Sequence, residues 1–95
     1  KKANEFSPNQ PQFLDTYGYV MFKKSEFSGA MDYYQKAYLL DNEDILLLDH
    51  MGDASVQLNK TEEALKYWNM AKKLGSKNKS LDKKIENLKY YEPVF

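Results

Sequence analysis

The sequence has no cysteine and no arginine, and each absence excludes a class of site. Without cysteine there is no disulfide framework, no thiolate-ligated zinc site and no thiol nucleophile. Without arginine the chain lacks the side chain that pairs bidentately with phosphates and with guanine edges. Fourteen lysines balance fourteen acidic residues, so the net charge of zero provides no basic footprint, and we predict no nucleic-acid partner.

Long apolar runs are also missing from the chain. No stretch approaches the roughly 18 apolar residues that a membrane-spanning helix needs, so we predict no membrane span. Aromatic residues, by contrast, are plentiful: eight Tyr, five Phe and one Trp among 95 residues, with a hydrophobic fraction of 42%. This composition argues against disorder and is sufficient for the core of one small domain.

The dominant feature of the sequence is a segment that occurs twice. Residues 18–37 read GYVMFKKSEFSGAMDYYQKA, and residues 52–71 read GDASVQLNKTEEALKYWNMA. Glycine, alanine, an aromatic residue and a second alanine recur at a constant offset of 34 residues. The matching pairs are Gly18 and Gly52, Ala30 and Ala64, Tyr34 and Trp68, and Ala37 and Ala71. A period of this length is the mark of a helical repeat.

Apolar residues at helical spacing predict two helices in each repeat. The expected bounds are 12–24, about 28–40, about 46–58 and about 61–74. A glycine within a helix costs about 1 kcal/mol relative to alanine, so we expect Gly18 and Gly52 to permit close approach of a partner helix. Gly75 suits the left-handed residue that follows a helix end.

A last helix is predicted at about 80–91, where Leu81, Ile85 and Leu88 form one narrow apolar stripe. This helix does not repeat the earlier pattern, and its other face is polar. A repeat array needs a terminal element that covers the last apolar face and presents a polar one to water. We therefore expect a capping helix here, ended by Pro93.

The spacing of the repeated residues resembles the tetratricopeptide repeat (TPR) family. That family has Trp, Leu, Gly and Tyr in its first helix, and then Ala, an aromatic residue, Ala and Pro. The glycine, both alanines and the aromatic residue match in both repeats, and the run YYQKA at 33–37 is very similar to the family's second helix. The departures are Leu14 and Leu48 for Trp, Met21 and Ser55 for Tyr, and Asn42 and Ser76 for Pro.

The resemblance implies an all-α fold of tandem helix-turn-helix repeats, an α-solenoid, with a C-terminal capping helix. We expect the tail of a truncated preceding repeat at 1–10, repeats at 11–44 and 45–78, and the capping helix and tail at 79–95. The alternative for residues 1–10 is a natural short tail. The chain resembles the C-terminal repeats of a longer bacterial member, and most members are scaffolds, so we expect no catalysis and no cofactor.

In this family the concave face, lined by the first helix of each pair, typically binds a peptide or a partner protein. If Leu14, Tyr17 and Met21 face the core, the helical period places another set of residues on the concave face. These candidate partner-binding residues are Gln12, Asp15, Tyr19, Phe22, Lys23, Leu46, Asp49, Asp53, Val56 and Gln57. The set is acidic with some apolar character, so a basic segment is the better electrostatic match. The alternative is an ordinary solvated surface.

Asp49 and Asp53 lie four residues apart, so their charges repel unless a cation sits between them. A catalytic carboxylate pair needs a desolvated pocket, which a shallow groove does not offer. We predict neither catalysis nor a metal here, and expect lysine side chains or solvent to neutralise the pair. His50 is the lone histidine and no GxSxG motif accompanies it. We expect it to be structural, bonded to Asp53 or to a neighbouring turn.

Together these features predict a non-catalytic scaffold module for protein–protein interaction. Two alternatives remain open: a structural end-cap of a longer array, and an accessory domain of a larger enzyme. Truncation of the preceding repeat would bare apolar surface near Phe6, Phe13, Leu14 and Tyr17. Exposed patches of this kind tend to find partners, which predicts self-association through the N-terminal end.

Overall fold

The computed structural model describes residues 11–92 and Val94, which form five α-helices and no strand. The helices are α1 (Pro11–Lys23), α2 (Phe27–Leu40), α3 (Ile45–Gln57), α4 (Thr61–Lys73) and α5 (Leu81–Asn87). The predicted all-α class is confirmed, and the bounds of the first four helices agree with prediction to within one residue. Within the described part of the chain, no helix has both the length and the apolarity needed to cross a bilayer.

The four long helices form two tightly packed pairs, α1 with α2 and α3 with α4, and α2 packs against α3. A Cβ atom added at Gly18 would lie 2.5 Å from Cε1 of Tyr34, and one added at Gly52 would lie 2.3 Å from Cδ1 of Trp68. Both rings are fully buried. Because carbon atoms in contact prefer separations of about 3.5–4.0 Å, only glycine fits at either position. Residues that lie 34 positions apart in the sequence therefore make the same packing contacts in the two helix pairs.

The turns that follow α1, α3 and α4 share one geometry. Ser25 and Asn59, which are also 34 residues apart, both have φ of 64°, and Gly75 has φ of 100°. In each turn the next amide donates to the carbonyl five residues back, at 2.9 Å after Ser25 and Asn59 and at 3.0 Å after Gly75. This is the Schellman pattern, which satisfies carbonyls left over at a helix end. The predicted left-handed cap at Gly75 is confirmed.

Helix α3 is the centre of the molecule. It contributes Leu47 and Met51 to a core shared with α1 and α2, and Leu48 to a second core with α4 and α5. Because neighbours surround α3, its polar residues Asp49 and Asp53 are also buried. Burying a carboxylate is costly unless it is paired and hydrogen-bonded, so these two residues need partners.

Helix α5 differs from its prediction. It ends at Asn87 rather than near residue 91, and Leu88, expected in the apolar stripe, is 40% exposed with φ of 55°. The prediction that Pro93 ends the helix is wrong, because α5 already ends at Asn87. The left-handed residue turns the chain toward α1, where Tyr90 packs on Phe22 with ring centroids 5.1 Å apart.

Only some of the predictions for the N-terminal end fall on residues that the structure describes. Residues 1–10, and with them Phe6, lie outside the described part of the chain. Leu14 is buried, as its place in the core stripe predicts, so it adds nothing to the apolar surface expected at this end. Tyr17, placed in the core by the sequence, is 48% exposed and packs against Tyr33 at the edge of the helix pair. Self-association through this end stays a prediction.

Candidate partner-binding face

The ten predicted partner-binding residues lie on α1 and α3 and define what we call the α1/α3 face. The C-terminal segment, which we define as residues 81–92, divides this face into an open part and a covered part. Gln12 lies in the first turn of α1, and its side chain falls outside what the structure describes.

The open part is a cleft between α1 and α3 with a volume of about 340 Å³. Its lining residues are Asp15, Thr16, Tyr19, Leu46 and His50. Three of the ten predicted residues therefore meet here, and Leu46 offers an apolar side chain that is 51% exposed. We call this cavity the open cleft.

His50 orders the floor of the open cleft. Its Nδ1 lies 2.9 Å from Oδ1 of Asp15, and its ring stacks on Tyr19 with centroids 5.0 Å apart. The expected bond from His50 to Asp53 or to a turn is therefore wrong, because Asp15 on the neighbouring helix lies closer. The pair ties α1 to α3 and fixes the ring of Tyr19 against the cleft.

The covered part of the face holds Phe22, Asp49 and Asp53, each 6% exposed or less. Their predicted position on an exposed surface is wrong, because the C-terminal segment lies over them. The side chain of Lys84, itself fully buried, reaches between the two carboxylates. Its Nζ donates to Oδ1 of Asp49 at 2.7 Å and to Oδ1 of Asp53 at 2.8 Å. The expectation that a lysine side chain pairs with these carboxylates is confirmed.

Aromatic rings complete the surroundings of the Lys84 ammonium. Its Nζ lies 6.0 Å from the ring centroid of Trp68 and 5.6 Å from that of Tyr90. An ammonium group at this distance over a ring face is attracted by the ring quadrupole, and more strongly where water is excluded. We call the four groups around this ammonium, from Asp49, Asp53, Trp68 and Tyr90, the Lys84 site.

Further hydrogen bonds hold the two carboxylates in place. Nε1 of Trp68 donates to Oδ1 of Asp53 at 3.2 Å. Nδ2 of Asn78 donates to Oδ2 of Asp49 at 2.7 Å, while Oδ1 of Asn78 accepts from the amides of Ser80 and Val94. Asn78 therefore connects the acidic pair to residues on either side of the C-terminal segment.

The Lys84 site has two acidic groups and one cation, and this imbalance changes its titration. The pKa of Asp53 is raised to about 7, chiefly by burial and also by the charge of Asp49, although Lys84 and His50 act in the opposite direction. One ammonium cannot balance two carboxylates in a dry site, so the second carboxylate takes up a proton more readily. The charge of the site therefore changes near neutral pH.

The remaining predicted residues lie at the border of the C-terminal segment. Nζ of Lys23 is 3.5 Å from Oε2 of Glu92, with both side chains largely exposed. Val56 and Gln57 line a cavity of about 260 Å³ together with Leu88, Lys89 and Tyr90. These three predicted residues are thus already in contact with, or next to, the chain's own C-terminal segment.

Sequence reasoning missed Lys84, Asn78 and Tyr90. A signal for Lys84 was present: it falls three residues after Leu81 and beside Ile85, on the buried stripe of the capping helix. A lysine on such a stripe needs an acidic partner, and the pair of carboxylates four residues apart on α3 supplies one. No comparable signal marked Asn78 or Tyr90, because their partners are distant in sequence.

The groups on this face are carboxylates and aromatic rings, which recognise cations. Among the described residues, no cluster of three or more His, Asp or Glu side chains is arranged to hold a metal ion. No model of a known protein family matches the chain, and no curated protein matches it significantly.

Proposed function

We propose that the chain is a non-catalytic protein-interaction module of tetratricopeptide type that binds a basic peptide segment of a partner protein on the α1/α3 face. The observation that carries the proposal is the open cleft. It combines a carboxylate from Asp15, an aromatic ring from Tyr19 and an exposed apolar side chain from Leu46, all on two rigid helices. Such a combination of apolar surface with a few placed polar groups is typical of binding sites.

The repeated packing of the two helix pairs supports the tetratricopeptide assignment. Gly18 lies against Tyr34 as Gly52 lies against Trp68. The left-handed residues Ser25 and Asn59, in the turns after α1 and α3, share one φ value. In the proposed scheme α1 and α3 are equivalent first helices, and the resemblance implies that the face they share binds partners. The electrostatic argument for a basic ligand rests on Asp15, whose Oδ1 lies 2.9 Å from Nδ1 of His50 and whose side chain is 13% exposed.

A titration of the full chain with a lysine–leucine peptide tests this proposal. We expect amide shifts concentrated at Asp15, Tyr19, Leu46 and His50. Affinity should fall about fivefold or more in Asp15→Asn, which removes one charge contact at a cost of roughly 1 kcal/mol. The matched control is Asp41→Asn, an exposed acidic position at the end of α2, which should bind unchanged. Shifts confined to α2 and α4, or equal binding of a glutamate–leucine peptide, would contradict the proposal.

A second candidate function is a structural end-cap. Leu81 and Ile85 of α5 cover a core that contains Leu48 and Trp68, while Asp82, Lys83, Glu86 and Asn87 face solvent. A repeat array needs such a polar terminal element. If the lysine–leucine peptide fails to bind the open cleft and substitutions in α5 only lower stability, the end-cap role is the better description.

A further inference from the structure

The Lys84 site is a complete cation-binding site that the chain fills with its own side chain. One ammonium group receives two carboxylates within 2.8 Å and two aromatic rings within 6.0 Å. The side chains of Lys84, Asp49 and Asp53 are each 6% exposed or less. The exclusion of water strengthens each of these electrostatic contacts.

Most of this site is built without the C-terminal segment. Asp49 and Asp53 project from α3, which is the central helix of the core, and Trp68 projects from α4. The ring of Trp68 is held against Gly52 and donates to Asp53. Three of the four groups are thus positioned by the α3/α4 pair, and only Tyr90 comes from the same segment as Lys84.

The C-terminal segment depends on docking for its structure. Helix α5 has seven residues. An isolated helix in water needs about 12–15 residues to be even marginally stable. When α5 leaves, water reaches Asp49 and Asp53 and replaces the lysine as their partner. Release of the segment therefore leaves hydrated carboxylates rather than buried unpaired charges.

We propose that the Lys84 site recognises the lysine ammonium of a partner segment, and that the C-terminal segment is an internal ligand which the partner displaces. The inference rests on the proposed function, since it concerns the same face, and it names the chemistry of the partner. That chemistry is an unmodified lysine followed at a short distance by an aromatic residue, as Lys84 is followed by Tyr90. An occupant that covers the site without supplying a cation leaves the two acidic groups buried and unpaired.

The preference should be for lysine rather than arginine. A single Nζ atom meets two carboxylates from different turns of α3, at 2.7 and 2.8 Å. A guanidinium group instead places its donors in a broad planar fork that suits one carboxylate held edge-on. The tethered lysine competes at the high effective concentration of an intramolecular ligand, so the wild-type chain should bind a free partner weakly.

The test uses the full chain and a synthetic peptide with the sequence of residues 80–92, SLDKKIENLKYYE. The receptor variant is Lys84→Gln, which removes the internal ammonium and leaves both acidic residues and Trp68 in place. Binding is measured by calorimetry and by the fluorescence of Trp68, the one tryptophan in the chain. The matched control peptide carries glutamine at the position of Lys84, and a third peptide carries acetyl-lysine there.

We expect the Lys84→Gln chain to bind the lysine peptide about tenfold or more tighter than the wild-type chain does, because the tethered competitor is gone. The glutamine and acetyl-lysine peptides should bind at least about tenfold more weakly than the lysine peptide, since a charge-assisted pair is lost. Equal binding of all three peptides by a folded Lys84→Gln chain would overturn the proposal, as would no binding at all.

If circular dichroism shows that Lys84→Gln does not fold, a second variant is used for the same test. Ile85→Ala loosens α5 through its apolar contacts and leaves all four groups of the Lys84 site intact. In that chain too the lysine peptide must bind tighter than the glutamine peptide, and equal binding overturns the inference. If the chain still prefers the lysine peptide after Asp15→Asn, and the peptide causes no amide shifts in the open cleft, only the proposed function is contradicted. If a peptide binds in the open cleft, and the lysine and glutamine peptides bind equally well, only this inference is contradicted.

Discussion

Replacing Lys84 with methionine should release α5 while leaving the other four helices folded. The substitution leaves the Asp49 and Asp53 carboxylates without their cation, in a place where each residue is 4% exposed. Removing one partner of a buried ion pair typically costs about 3–5 kcal/mol. Methionine is the apt replacement, because it keeps most of the length and apolar stem of the lysine side chain.

The distances in the structure give a similar magnitude. Both Oδ1 atoms contact one Nζ, at 2.7 and 2.8 Å, so the two oxygens are at most 5.5 Å apart. Two like charges at that separation repel by about 3 kcal/mol at an effective dielectric constant of about 20. This repulsion has a ceiling, because Asp53, whose pKa is already raised to about 7, can take up a proton, and because α5 can detach and let water reach both carboxylates. The loss of stability in Lys84→Met therefore cannot exceed the free energy with which α5 docks.

Hydrogen exchange distinguishes local release from global unfolding. In Lys84→Met we expect amides in 81–88 to lose protection, while amides in α3 and α4 stay protected. The fluorescence of Trp68 should shift to the red, since water replaces Lys84 over its ring. Lys83→Met is the matched control: this neighbouring lysine is exposed, and its replacement should change stability by no more than about 0.5 kcal/mol.

A triple variant provides the rescue. Lys84→Met combined with Asp49→Asn and Asp53→Asn removes the whole ion cluster and keeps its approximate shape. No unpaired charge then remains, and the asparagine oxygens can still accept from Trp68 and Asn78, so α5 should dock again and its amides should regain protection. The reasoning is refuted if Lys84→Met keeps α5 fully protected, or if the triple variant is no better protected than the single one.

Three further predictions concern packing, a turn and pH. Gly52→Ala should lose about 1–3 kcal/mol in thermal melts, because the added Cβ would lie 2.3 Å from the buried ring of Trp68. In the control Gly29→Ala the Cβ meets a flexible methionine end, so we expect no loss or a gain of up to about 1 kcal/mol. Ser25→Gly should raise the free energy of unfolding by about 1 kcal/mol, since Ser25 holds φ of 64°, and an unchanged denaturation midpoint would contradict this. The pKa of Asp53 is raised to about 7 in the folded chain from 3.8, so folding takes up a proton between these values. The stability that Asp53 contributes is complete below about pH 4 and is lost as pH rises to 7, and Asp53→Asn should flatten this slope in urea unfolding.

The sequence predicted the four long helices well because the repeat encodes packing rather than surface chemistry. The residues that recur are small ones that allow close approach, such as Gly18 and Gly52, and the rings that lie against them, Tyr34 and Trp68. The room between the packed helices determines which residue type fits at each of these positions. That room is the same in both helix pairs, so the same residue types recur. Even the left-handed turns follow the same 34-residue offset.

The candidate site was harder to predict, because helical periodicity identifies a polar stripe but not what covers it. Asp15 and Asp49 are equivalent in the two repeats, yet one lines the open cleft and the other lies beneath α5. The difference comes from a segment outside the repeat. Its path depends on a left-handed Leu88, where neither glycine nor asparagine marks the turn, and on the distant contact between Tyr90 and Phe22.

The energetics of the Lys84 site favour a role in selectivity over a role in stability. A buried ion cluster adds little net stability, so an apolar residue facing two neutral ones would hold α5 equally well. What the two carboxylates add is discrimination: any occupant without a cation at that position leaves them unpaired in a dry site. Departure of the occupant is tolerated, because water then solvates both groups. A surface that penalises wrong occupants and tolerates an empty state is suited to exchanging one lysine-bearing segment for another.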